Sequence, residues 1–150
     1  MTVPTVKRKV LAYITHGHRL LVFSHPHFPE AGIQVPAGTV KDDESLEEAA
    51  LREALEETGL PDLELGAFLG QELRDMAEWG LDQIHDRYFF HLRCTGNPPE
   101  TWQHFETDPS DGTPEPILFE FFWADLPHGV PELTGHHAAL LPELIKRLSL

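Results

Sequence analysis

Short apolar runs separated by polar turns dominate the chain, and only two stretches follow a helical period. Residues 6–14 are rich in β-branched and aliphatic side chains and predict a strand. His16, Gly17 and His18 form a tight turn, and residues 19–24, RLLVFS, return as a second strand, which makes a hairpin. Ile33, Gln34 and Val35 predict a short strand leading into Pro36, Ala37 and Gly38. Residues 46–58 predict a helix. Ser45 and Glu48 have capping-box spacing, Gly59 suits a left-handed C-cap, and Pro61 blocks continuation. In residues 62–73, Leu63, Leu65, Ala67, Leu69 and Leu73 share one face of a strand that Gly66 and Gly70 should bend or bulge. Residues 74–82 break the alternation and predict an exposed loop carrying Met76 and Trp79. Residues 84–94 predict a strand with Tyr88, Phe90, Leu92 and Cys94 on one face and Arg87, Phe89, His91 and Arg93 on the other. Strands are also predicted at 102–106 and 117–125, around a turn-rich loop at 108–116. From 135 to 149, Ala139, Leu140, Leu144 and Leu148 draw the stripe of an amphipathic helix, with His136 and His137 facing solvent.

This alternation supports an α/β or α+β class. The expected arrangement is a mixed, largely antiparallel sheet, with helix 46–58 on one side and the C-terminal helix on the other. A chain of 150 residues suits one domain, 1–150, and it contains no repeat or linker. On helix 46–58, Leu51, Leu55 and Thr58, with Ala54 beside them, should pack on the sheet. Glu53 and Glu57 then project from nearly the opposite side, near Ala49, Ala50 and Glu56.

Charge narrows the partners. The net charge is −14, with 11 Lys and Arg, which argues against general nucleic-acid binding and against docking on anionic membranes. The single cysteine, Cys94, excludes an internal disulfide and a cysteine-based zinc site. The N-terminus lacks a signal-peptide core and no segment is long enough to span a bilayer, so a cytoplasmic protein is expected.

Glu53, Glu56 and Glu57 are spaced i, i+3, i+4, which puts three carboxylates on one side of the helix. Like charges at that spacing repel, so the cluster calls for a cation, either Arg/Lys or a metal ion. The stretch from Gly38 to Leu60 resembles the signature of the Nudix hydrolase family, G-x5-E-x7-R-E-U-x-E-E-x-G-U, where U is a bulky aliphatic residue. Gly38, Glu44, Arg52, Glu53, Glu56, Glu57, Gly59 and Leu60 all match, and Ala54 departs where a larger aliphatic is usual.

The resemblance implies a Nudix-like α/β/α sandwich with a mixed central sheet. It implies a catalytic set of Arg52, Glu53, Glu56 and Glu57, and a shell for Mg2+ or Mn2+ made of Glu53, Glu56, Glu57 and the Gly38 carbonyl. Arg52 would orient the glutamates, and Glu44 would be peripheral. The implied reaction is metal-dependent attack of water on phosphorus, cleaving the diphosphate linkage of a nucleoside diphosphate derivative. The general base is either Glu53 or a carboxylate outside the signature. Glu120 and Glu115 are candidates for the latter, and Glu106 and Asp108 compete with them. Candidate substrate contacts are Arg19, His27, Trp79 and Arg87. His25 and the basic run Lys7, Arg8 and Lys9 are further options. The implied partner is a small nucleotide-type molecule, and a homodimer is compatible. Pro36-Ala37-Gly38 resembles members that cleave ADP-ribose, but their proline beyond the signature is missing. Nucleoside triphosphates, dinucleotides, nucleotide sugars and capped RNA ends therefore stay open. The alternative is a non-catalytic nucleotide-binding Nudix module. Its clearest mark would be the loss of a glutamate from the signature, and none is lost here.

Overall fold

Seven strands form one mixed sheet: β1 Thr5–His16, β2 Arg19–Ser24, β3 Ala37–Thr39, β4 Leu63–Asp75, β5 Gln83–Cys94, β6 Thr101–Glu106 and β7 Ile117–Asp125. The structure is a computed structural model and describes residues 3–106 and 115–150. The order is β4-β5-β1-β2-β7-β6, with β3 paired to β1. Only β1 and β5 run parallel; every other pairing is antiparallel.

A parallel pair at the centre must bury both of its faces. The residues comply: Val10, Ala12, Ile14, Phe90 and Leu92 face one core, and Leu11, Tyr13 and Phe89 face the other. The first core is covered by α1, Leu46–Thr58, and the second by α2, Leu141–Arg147. The result is the expected α/β/α layering. Among the described residues, no helix is long and apolar enough to cross a membrane.

The ends of α1 follow the sequence signals. Ser45 Oγ accepts from the Glu48 backbone N–H at 3.1 Å, and Glu48 Oε1 accepts from the Ser45 N–H at 3.4 Å. Gly59 closes the helix with φ 72°.

Other expectations need correction. The strand expected at Ile33–Val35 is only two isolated bridges, Phe23 with Gln34 and Ile33 with Leu133. Pro36 has no N–H to donate, so the ladder with β1 restarts at Ala37. In β4 the register shifts between Leu65 and Ala67 and again between Phe68 and Gly70. Each slip exchanges the two faces, so Ala67, opposite His91, leaves the face of Leu63 and Leu65, and the second slip returns Leu73 to it, opposite Asp86 near the strand's end, where it is 67% exposed. Residues 74–82 are not an open loop throughout, because β4 continues to Asp75 and a 3-10 turn, Met76–Trp79, buries Met76. The C-terminal helix begins only at Leu141. Gly135 and His136 sit at φ 66° and 62°, outside helical space, and His137 is buried, not solvent-facing.

One departure from regular pairing opens the sheet. β1 and β2 pair only at Thr15 with Leu20 and His16 with Arg19, beside the turn. Further along, β3 occupies that edge of β1, and Gln34 exchanges backbone bonds with Phe23 of β2 at 2.9 and 3.0 Å. The wedge holds β1 and β2 apart, and a cleft lies beside it.

Candidate active site

Helix α1 meets the sheet through Ala49, Ala50 and Ala54, all fully buried. The expected face is buried at Ala54 and Thr58 and half-buried at Leu51, but Leu55 is 45% exposed. Alanine lets the helix approach closely, and that approach carries Glu53 and Glu57 inward with it. Glu57 is 3% exposed, and its Oε2 accepts the Ala37 backbone N–H at 2.9 Å. Glu53 is 7% exposed and packs on Gly38 so closely that a Cβ there would overlap its carboxylate. Glycine at position 38 is therefore a steric requirement of Glu53's placement.

Arg52 fixes the outer side of this group. Its Nε and Nη2 donate to Glu44 at 2.5 and 2.8 Å, and its Nη1 to Glu53 at 2.9 Å and to Glu56 at 3.3 Å. Nη2 also reaches the Thr39 carbonyl at 3.1 Å, tying the helix to β3. The hydrogen bonds from Arg52 hold the Glu44 carboxyl down at about 2. Glu56 lies on the outside, half-exposed, and is not in the buried group.

The third buried carboxylate comes from β6. Oxygens of Glu53, Glu57 and Glu106 lie within 4.8 Å of one another, and all three residues are buried. Trp102, His104 and Glu106 alternate along β6 toward α1. Trp102 Nε1 donates to the Thr58 carbonyl at 2.9 Å, and the His104 ring is 2.9 Å from the Glu56 carbonyl. The two-residue period that puts Trp102 against the helix puts Glu106 there too. That signal was available in the sequence.

Glu115 and Glu120, the candidates outside the signature, are both exposed, and neither lines the cleft. Glu120 stands between Ser24 and Gln103 in the sheet register. Asp108 lies outside the described residues.

Burial raises the Glu57 carboxyl well above its ordinary value, and the neighbouring Glu106 and Glu53 raise it further. Burial raises Glu53 as well, against the pull of Arg52. Three carboxylates packed together away from water favour a bound cation, and an all-oxygen donor set suits Mg2+ or Mn2+. The chain thus fits such an ion, with Glu53, Glu57 and Glu106 as the residues to hold it.

Two of these carboxylates, Glu57 and Glu106, line a cleft of about 240 Å³. Its lining brings together Gly38, Glu57 and Glu106, the cations Lys9 and Arg87, the rings of Phe23, His25 and Phe119, and His85 and His137. Of the expected substrate contacts, Arg87 lines it, as do His25 and Lys9 among the further options. Arg19 instead pairs with Glu100 at 2.7 Å and lies over the Trp123 ring. His27 is exposed, and Trp79 packs edge-on against His136. In place of His27 the loop presents His25, held by the Gly32 carbonyl at 3.2 Å and set edge-on to Phe119.

His137 gives the cleft a pH-sensitive wall. Its Nδ1 accepts the Val35 N–H at 3.2 Å, and its carbonyl accepts the Tyr13 hydroxyl at 2.5 Å. Burial, assisted by the nearby charges of Arg87 and His25, lowers it to about 3. Between that value and the ordinary histidine value of about 6.5, the unfolded chain binds a proton that the native state refuses. Stability should therefore be complete above pH ~6.5 and fall at up to ~1.4 kcal/mol per unit below it. In denaturant titrations from pH 7 to 4, His137→Gln should lose markedly less stability than the parent.

Comparison with known proteins places this geometry. A model of the NUDIX domain matches residues 5–136. The Escherichia coli ORF135 protein superposes with TM-score 0.63 at 17% identity, over 95% of this chain and 91% of that one. A MutT NUDIX hydrolase from Burkholderia pseudomallei gives 0.60 at 24% identity, over 93% and 98%. An ADP-ribose pyrophosphatase from Streptococcus suis gives 0.58 at 20% identity, over 94% and 90%. These likenesses are likenesses of fold. The search of curated proteins gives no match.

Proposed function

The chain belongs to the Nudix family of pyrophosphohydrolases, and from that premise we propose that it hydrolyses the diphosphate linkage of a nucleoside diphosphate derivative with Mg2+ or Mn2+. One observation carries this reading: Glu53, Glu57 and Glu106 converge, buried, with Glu53 against Gly38 and Glu57 and Glu106 lining a cleft. A divalent ion held there would offset charge on phosphate oxygens and make water a better nucleophile. The residues of the chain do the rest. Glu53 and Glu57 would hold the ion from α1, Glu56 would add charge from outside the buried group, and Glu106 would complete the set from β6. Arg52 keeps Glu53 and Glu56 in place. Glu53 or Glu106 accepts the proton of the attacking water. A new P–O bond forms from that water, the bridging P–O bond breaks, and two phosphate-bearing products leave. Arg87 and His25 contact the bound substrate.

The substrate class is open to a direct test. The Streptococcus suis neighbour is named for ADP-ribose and Pro36-Ala37-Gly38 resembles such members, but their proline beyond the signature is missing, so ADP-ribose is one of several substrates to compare. Assay ADP-ribose, nucleoside triphosphates, dinucleoside polyphosphates and nucleotide sugars with each metal and identify the products. Release of two phosphate-bearing products from at least one of them, abolished by EDTA, is the expected result. Tight nucleotide binding without turnover would instead establish a binding module.

A further inference from the structure

In β1 and β5, Lys9 stands directly opposite Arg87 in the parallel register, so the two side chains leave the same face of the sheet. Like charges facing each other across a strand pair are destabilising, more so away from water. Arg87 is 5% exposed and Lys9 is half-buried, and both line the cleft. Among the described residues neither takes part in an ion pair, in a chain carrying 25 acidic residues.

Their hydrogen bonds go to neutral groups. Lys9 Nζ donates to Thr39 Oγ1 at 2.7 Å, and Arg87 Nη1 donates to the Gly135 carbonyl at 2.5 Å. Glu72, beside Arg87 on β4, pairs with Arg74 at 3.0 Å instead. Lys7, paired with His85 next along the same face, adds positive charge, while Glu53 and Glu106 act on Lys9, and Glu72 on Arg87, through space without an ion pair to either cation. Burial and the charges of Lys9, Arg87 and Lys7 lower the His85 imidazole to about 4, so it stays neutral at pH 7. A like-charged pair held in a cleft, with no carboxylate among the described residues in direct contact, makes physical sense if an anion from outside completes it.

We propose that Lys9 and Arg87 form a phosphate subsite, separate from the metal-binding glutamates, that holds a substrate phosphate beyond the two joined by the cleaved anhydride. The cleft then has two charged stations, carboxylates that reach phosphate through a divalent ion and cations that reach it directly. The enzyme would favour nucleoside triphosphates, or nucleotide derivatives bearing an extra phosphate, over simple diphosphate conjugates such as ADP-ribose. This assignment of the subsite to substrate rests on the cleft being the hydrolytic site.

The test has two arms. In EDTA, where no divalent ion can mediate binding, titrate inorganic phosphate into the protein and into Lys9→Gln by calorimetry. Lys9→Gln keeps a donor for Thr39 and does not touch the Arg87–Gly135 bond, so it should fold. The variant should bind phosphate about tenfold more weakly, the scale of one charge-assisted hydrogen bond. In the second arm, Lys9→Gln should raise KM more for a nucleoside triphosphate than for ADP-ribose, and Lys9→Arg should restore it. Equal phosphate binding by parent and variant, or equal KM changes for the two substrates, would overturn the subsite. Phosphate binding that depends on Lys9 in a protein that cleaves no diphosphate would uphold the anion site and overturn the hydrolase reading.

Discussion

Glu57→Gln should lower kcat/KM on the order of 10³-fold, the scale of losing a group that stabilises charge at the reacting centre. The fold should survive. Glutamine keeps an oxygen to accept the Ala37 N–H and fills the same volume beside Glu53 and Glu106. A stability measurement separates lost chemistry from lost structure. Burial raises the Glu57 carboxyl, so above the ordinary carboxylate value of ~4.3 the metal-free native state holds a proton that the unfolded chain has released. Stability then falls as pH rises through the raised native value. The metal-free variant lacks that loss and should be at least as stable as the parent at neutral pH. Adding Mn2+ should raise the melting temperature of the parent and leave that of Glu57→Gln nearly unchanged. Turnover within a few-fold of the parent would remove Glu57 from the site.

Glu106→Gln should cost about 10²–10⁴-fold in kcat, the range for a positioned proton acceptor or ion-holding carboxylate. Glu120→Gln and Glu115→Gln should stay within about twofold, because exposed carboxylates away from the cleft have nothing to act on. Comparing the three variants on one substrate identifies the carboxylate outside the signature. If Glu106 is the base, its removal flattens the acidic limb of the pH–rate profile; if it only helps to hold the ion, raising the Mn2+ concentration recovers much of the rate. An Glu120→Gln enzyme as impaired as Glu106→Gln would contradict the geometry.

Local chemistry alone was enough to place much of this protein. The capping box at Ser45 and Glu48, the stop at Gly59 and the hairpin turn at Gly17 depend on neighbours a few residues away, and they appear where the sequence puts them. Glu53 and Glu57, with Gly38 ahead of them, were legible for the same reason, because helical spacing sets which carboxylates can meet, whereas Glu56 stands outside the buried group. Longer elements were read less well. The slips in β4 fall where Gly66 and Gly70 suggested a bulge, but the non-helical start before Leu141 comes from contacts that no local window contains.

Which face of α1 turns inward was decided in three dimensions. Leu51 and Leu55 are the more hydrophobic pair, yet the alanine side packs on the sheet. Hydrophobicity rewards burying leucine, but the small side lets Glu53 reach Gly38 and Glu57 reach the Ala37 N–H. Glu106, His25 and the opposed Lys9 and Arg87 likewise became neighbours only when distant segments paired. The sequence by itself determined the family, the helix that carries the glutamates and the class of ion that they suit. The tertiary structure alone decided which carboxylates share a site and which cations face the cleft, because strand register and the wedge between β1 and β2 are set by pairings across the whole sheet.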